Sequence, residues 1–448
     1  MNKKQPNKKT ECLLLSDPNI LKIEQIRDEA GKSKIAWVDH VSNEIKDHLE
    51  TDLYTCDRCD TETYSPRGRP IFCDECGHKS TFTCFTPPEF EELWLPYGIE
   101  PFLNPLDDLP GEISSFIDDH LCLRNDYELE VLTRWNIASY RQDDFSHSPY
   151  LQFVGPIESG KTRALKIISL LSYRSILHAF VTPSALCREI TLYHPTVCVD
   201  QAEQLFDRKN ERGAEMYNIF MTGNEAGQKY MVASKESDNE LVARDVFGFK
   251  AIASTRVFDE ALSSRSIIFK MKEGEPKIKE IGEESITRAK HLRNKLLYWR
   301  LCQQELPAAD HPEIIGRLKE IYTPLLKMRE VTGWNNNALV DFIRKDEIEK
   351  EKEMADTFEA EILRKIKSQW ESLRGEGSID SPSRIVVKQL SEDPKERLII
   401  GRKLKAMDID RKHSREGNYI DLEDDKTTKQ LKYLFGHFHI DRNFEVKQ

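Results

Sequence analysis

The octet "GPIESGKT" at residues 155–162, directly after the apolar run "YLQFV", constrains this chain more than any other stretch. Its spelling, G-x-x-x-x-G-K-[ST], is that of a backbone loop that cradles phosphates. Gly155, Pro156, Ile157, Glu158, Ser159 and Gly160 form the cradle, and its two glycines let successive N–H groups turn inward toward phosphate oxygens. Lys161 reaches the terminal phosphates, and the Thr162 hydroxyl suits Mg²⁺. The following "RALKIISLLS" reads as a helix whose positive end faces the same anion. The bland alternative is a Gly-Lys turn on a surface hairpin, but the motif demands a strand before it and a helix after it, and both are present.

From residue 149 to residue 270 the chain alternates strand and helix, as a parallel α/β sheet requires. "YLQFV", "SILHAF", "TVCVD", "FKAIAST" and "SIIFKM" read as strands. "TRALKIISLLSY", "SALCREITLYH" and most of "QAEQLFDRKNERGAEMYNIFMT" read as helices. Before them, apolar residues at helical spacing from Ile113 to Arg141 predict short helices that lead into the loop strand.

A phosphate loop needs a carboxylate for its metal at the end of a neighbouring strand, and "PTVCVDQAEQL" supplies Asp200. One strand intervenes between the loop strand and the Asp200 strand. The alternative for Asp200 is a helix cap. The next acid, Glu203, is the candidate water-activating base, against the alternative of a surface carboxylate. Ser254 and Thr255 end a strand where one of them orients the attacking water. Arg265 precedes the last strand, either presented to a neighbouring subunit's nucleotide or held in a surface ion pair.

"GPIESGKTRAL", "TPSALCREI…HPTVCVDQAE", "DVFGFKAIAST" and "ALSSRSIIFKM" together resemble the P-loop ATPase module of plasmid-, virus- and archaeal-type proteins associated with primases, which is similar to AAA+ and superfamily 3 helicases. The resemblance covers roughly residues 110–300. It implies an AAA+/ASCE-like P-loop fold, ATP with Mg²⁺, assembly into a homo-oligomer such as a ring, and action on DNA in replication beside a primase or another replication protein. Gln201 stands where this group often has Glu.

"CDRC" at 56–59 and "CDECGH" at 73–78 place Cys56, Cys59, Cys73 and Cys76 in a C-x₂-C-x₁₃-C-x₂-C pattern. Four thiolates on two tight turns suit a closed, structural Zn²⁺ site, a zinc ribbon that does no hydrolysis of its own. The metal would contribute much of the folding free energy of so small a unit. The loop between the pairs carries Tyr64, Arg67, Arg69 and Phe72, a mixture that suits nucleic acid or an ordinary solvated surface.

Toward the end, "TFEAEILRKIKSQWESL", "RIVVKQLSE", "PKERLIIGRKLKAMDI" and "DRKHSREGNYIDLE" suggest a winged-helix-like domain. Residues 395–415 hold eight Lys or Arg against three acids, in a chain of net charge −11. Arg402, Lys403 and Lys405 fall on the expected recognition helix, and Arg411, Lys412 and Arg415 on the wing. Such a face suits phosphate contacts or protein docking.

The expected organisation is therefore a helical segment with a basic tail (1–50), a zinc ribbon (51–85), a linker with lead-in helices (86–148), an ATPase core (149–275), a charged helical region (276–375) and a winged-helix-like domain (376–448). The acidic balance excludes a uniformly basic coating. The absence of an apolar run near ~18 residues argues against a membrane span. Ten cysteines without an export signal suit a reducing cytoplasm. Two functions remain in play: a DNA helicase or translocase driven by ATP, and a nucleotide-dependent switch or loader that recruits partners without motion.

Overall fold

Antiparallel strands, not a helix, open the described residues. "ILKIEQIR" and "SKIAWVD" form antiparallel strands β1 (Ile20–Arg27) and β2 (Ser33–Asp39), and β3 (Ile45–Lys46) adds to β2. This corrects the helical segment expected over residues 1–50: β1 buries Glu24 and Ile26 on one face, and its pairing with β2 rather than a local repeat holds it extended. A computed structural model describes residues 20–28, 30–31, 33–39, 45–46, 52–56, 58–59, 62–65, 75–77, 83–84, 92–101, 109–207, 209–233, 241–302, 305–306, 308, 314–334, 337, 339–345, 348, 357–375, 384–415 and 417–440. It divides into two units, residues 1–339 and 340–448.

In the first unit a small sheet of β4 (Asp52–Thr55), β5 (Glu62–Ser65) and β6 (Thr83–Cys84) frames the cysteine pattern. Helices α1 (Leu109–His120) and α2 (Asp126–Ser139) then lead in, the latter capped by Asn125, whose side chain accepts from the Glu128 N–H. The central sheet runs β7 (Tyr150–Val154), α3 (Lys161–Leu171), β8 (Ile176–His178), α4 (Pro183–Tyr193) and β9 (Val197–Val199). A short turn of helix at Ala202–Leu205 and α5 (Glu211–Thr222) follow, separated by Asn210, which caps α5.

An antiparallel hairpin, β10 (Lys229–Ala233) with β11 (Leu241–Asp245), precedes β12 (Lys250–Ser254) and β13 (Ser266–Lys270). Helices α6 (Glu283–Cys302) and α7 (Gly316–Lys327) follow in the same unit. The five strands are parallel in the order β13-β7-β12-β9-β8. Every residue of β7, β9 and β12 is buried, as a sheet covered on both faces requires. One strand, β12, lies between the loop strand and the Asp200 strand.

Burial on this sheet extends to a lysine. Lys250 Nζ donates to the carbonyls of Gly223 (3.1 Å), Val246 (2.9 Å) and Gly248 (3.0 Å), and lies 5.0 Å from the Tyr150 ring centroid. Burial pushes its pKa down to about 7, while three carbonyl acceptors need the three N–H groups of the ammonium. The cage ties the end of α5 to the root of the hairpin.

The second unit packs α8 (Phe358–Gly375), β14 (Arg384–Val386), α9 (Pro394–Ala406), the hairpin β15 (Lys412–Ser414) with β16 (Gly417–Asp421), and α10 (Asp425–His437). Its sheet order is β14-β16-β15. Ile366, Trp370, Ile385, Leu404, Ile420 and Leu431 form its core.

Candidate functional site

The loop that joins β7 to α3 is built around close approach. A Cβ on Gly155 would meet the Met271 carbonyl and Ser159 Oγ, each at 2.6 Å, so only glycine fits. Glu158 and Gly160 take positive φ of 66° and 83°, which turns the chain back on itself. Ser159 Oγ closes the turn by donating to the Pro156 carbonyl at 2.9 Å. Lys161 Nζ bonds the same carbonyl and Ser159 Oγ. Helix geometry leaves the N–H groups of the first turn of α3 without intrahelical partners, and they open on this loop.

The acids converge on the same rim. Thr162 Oγ1 donates to Asp200 Oδ2 at 2.7 Å, and Asp200 Oδ1 accepts from the Gln201 N–H. Gln201 adopts φ 49°, a left-handed turn that swings the chain straight into Ala202–Leu205 and directs Glu203 back toward the sheet. Thr255 Oγ1 donates to Glu203 Oε1 at 3.2 Å. Glu203 Oε2 is buried and has no hydrogen-bond partner among the described residues. A buried carboxylate oxygen left open in this way suits a water or a metal-bound ligand. Ser254 faces elsewhere, its Oγ donating to the Arg256 carbonyl at 2.6 Å.

Arg163 is a residue that the motif did not single out. Its Nε donates to the His120 carbonyl at 2.6 Å, Nη1 to Lys279 O at 2.8 Å, and Nη2 to Ile278 O. It therefore clamps the first turn of α3 to the end of α1 and to the strap that follows β13. Its place next to Thr162 was the available signal. Arg265 lies apart from this rim. Ser266 pairs with Tyr150 at the start of β7, while the loop leaves the other end of that strand.

The cysteine pattern draws together where it is described. Sγ atoms of Cys56, Cys59 and Cys76 lie within 4.8 Å of one another, Cys56 to Cys76 being 3.8 Å. Zn–S bonds of ~2.3 Å in a tetrahedron give an S···S edge of about 3.8 Å, so the spacing fits zinc. Cys73 lies outside the described residues, as do Arg67, Arg69 and Phe72.

On the second unit, Arg402 and Lys405 are exposed on α9, and Arg411 and Arg415 are exposed before and within the hairpin turn. Lys403 bonds Glu359, and Lys412 donates to Asp421 at 2.6 Å, so these two cations are neutralised within the unit. A Cβ on Gly401 would meet Arg411 Nη1 at 2.5 Å, which shows how closely the arginine lies over α9.

No family model matches this chain, and no curated protein sequence matches it. Among solved structures, the apo C-terminal region of NrS-1 is similar over 89% of this chain and 96% of that chain, at 12% identity and a TM-score of 0.37. SCCmec type IV Cch, described as an active helicase, is similar over 92% of this chain and 94% of that one, at 11% identity and a TM-score of 0.36. JCV helicase is similar over 42% of this chain and 52% of that one, at 17% identity and a TM-score of 0.25. Among the described residues, no helix is long and apolar enough to cross a membrane.

Proposed function

We propose that this chain binds ATP with Mg²⁺ at the Gly155–Thr162 loop, hydrolyses it, and uses the cycle to act on DNA as a replicative helicase or translocase. One observation carries the reading: Thr162, Asp200 and Glu203 meet on the rim from which the loop leaves, with one Glu203 oxygen buried and open. Magnesium, when bound, supplies charge neutralisation between the phosphates. Thr162 and Asp200 hold it. Lys161 exchanges its loop carbonyl for a phosphate oxygen. Glu203 accepts the proton of the attacking water, and Thr255 fixes the orientation of that carboxylate.

The exposed Arg402, Lys405, Arg411 and Arg415 of the second unit supply a phosphate-binding face for DNA, in a winged-helix arrangement. Lys403 and Lys412, already paired, contribute less. Cys56, Cys59 and Cys76, with Cys73 as the fourth thiolate by sequence, hold a structural Zn²⁺. Arg265 serves a neighbouring copy, which makes the working form an oligomer.

The test is ATP turnover with and without single-stranded DNA, for the wild type and Lys161→Ala. Turnover that rises with DNA and disappears in the variant supports the reading. Turnover in Lys161→Ala equal to that of the wild type defeats it. A second reading, an ATP-dependent switch or loader, draws on Gln201, an exposed amide directly after the metal-binding acid. It predicts nucleotide-dependent assembly with no response of turnover to DNA.

A further inference from the structure

The rim opposite the phosphate loop carries its own charged cluster. Arg265 leads into β13 at the end where Ser266 pairs with Tyr150. Strand residues spaced about 3.3 Å apart separate it from the loop of its own chain, farther than one arginine side chain extends. Its Nη1 donates to the Ala261 carbonyl at 2.6 Å, and its Nε is buried without a partner among the described residues. Burial and then the like charge of Arg317 pull this guanidinium below its ordinary pKa.

Arg317 stands in the first turn of α7 and binds Glu320 at 2.5 Å. His147 Nε2 approaches the same Glu320 oxygen at 3.8 Å. Two guanidinium groups therefore share the field of one carboxylate, and that carboxylate is bonded to only one of them. Positive charge is left over at a half-exposed site. A phosphate, with several oxygens that match guanidinium forks, satisfies both groups at once.

We propose that Arg317 acts beside Arg265 on the terminal phosphate of a nucleotide held by a second copy of this chain, and that Glu320 is the counter-ion Arg317 releases when that phosphate arrives. The inference rests on the nucleotide reading above and assigns Arg317 and Glu320 roles within it. Glu320 thereby sets a threshold, because the pair must break before Arg317 engages.

Three proteins test this: Arg317→Ala, Glu320→Gln, and Lys161→Ala, which lacks the loop lysine but keeps both arginines. A fluorescent ATP analogue reports binding, and phosphate release reports turnover. Arg317→Ala is expected to bind the analogue as the wild type does and to lose about tenfold or more in turnover. Mixing it with Lys161→Ala is expected to restore part of that loss, since some neighbours then pair an intact loop with both arginines. Unchanged turnover in Arg317→Ala, or a loss that mixing leaves unrepaired, overturns the proposal.

Should Arg317→Ala fail to fold, Glu320→Gln decides: turnover at low protein concentration rises if the pair competes with the phosphate. No rise overturns the proposal. Wild-type protein that binds no analogue removes the nucleotide reading first, and this inference with it. Wild-type binding with an inert Arg317 removes this inference alone.

Discussion

Thr162 and Asp200, 38 residues apart, meet through a 2.7 Å hydrogen bond across a sheet in which a third strand lies between their own. In the function proposed above, the bond places both oxygens where they would share one Mg²⁺. Asp200→Asn is expected to abolish Mg²⁺-dependent turnover, whereas Thr162→Ala should raise the Mg²⁺ requirement and lower the rate by about tenfold or more. A magnesium titration of turnover for both variants checks this, and equal magnesium curves for Thr162→Ala and the wild type speak against the shared cation.

Glu203 offers a sharper separation. Glu203→Gln keeps the shape and the Thr255 contact but removes the base, so nucleotide binding should persist while turnover falls by about a hundredfold or more. Thr255→Val should lower the rate less, through a loosened carboxylate. Binding and single-turnover rates measured side by side distinguish the two, and wild-type turnover in Glu203→Gln moves the base elsewhere.

The thiolate cluster predicts a metal content of one zinc per chain. Cys56→Ser and Cys76→Ser should each lose it, and a strong chelator should lower the thermal midpoint of the wild type while leaving those variants unmoved. Elemental analysis beside thermal denaturation supplies the check.

Lys250→Met should cost about 3 kcal/mol or more, because three buried carbonyls lose their donor together. Chemical denaturation of the first unit's signal measures it. A cost near zero would mean that water replaces the ammonium.

His120 gives a pH dependence. Its Nδ1 lies 2.7 Å from the Phe116 carbonyl and its Nε2 2.8 Å from Ser285 Oγ, an arrangement that places the proton on Nδ1. Burial holds its pKa below the ordinary 6.5. As pH falls through 6.5, the unfolded chain takes up the proton first, so stability drops until the folded value is reached and is flat below it. His120→Gln should flatten that part of the thermal-midpoint profile, and a profile identical to the wild type's removes His120 as its source.

The phosphate loop and its following helix are legible in the sequence because neighbours along the chain make them. The Glu203–Thr255 contact is not, since it needs β12 placed beside β9 and a left-handed turn at Gln201, neither of which a local pattern reveals. The pairing of Lys403 with Glu359 spans 44 residues and that of Lys412 with Asp421 spans nine, so a count of basic residues overstates the free charge on the second unit. The strands before residue 50 and the hairpin β10–β11 were missed for another reason: charged side chains interrupt their alternation, and much of their stability comes from packing on distant elements rather than from their own propensity.

Glu24 of β1 draws in Tyr173 (2.8 Å), Arg174 (3.2 Å) and Arg300, and the last of these also binds Asp143. Anyone shortening this protein should therefore take the ion network as the guide to where to cut. A version that starts at the cysteines would take Glu24 away from Arg174 and Arg300 while Arg300 keeps Asp143, and would loosen the far end of the helix that begins at the phosphate loop.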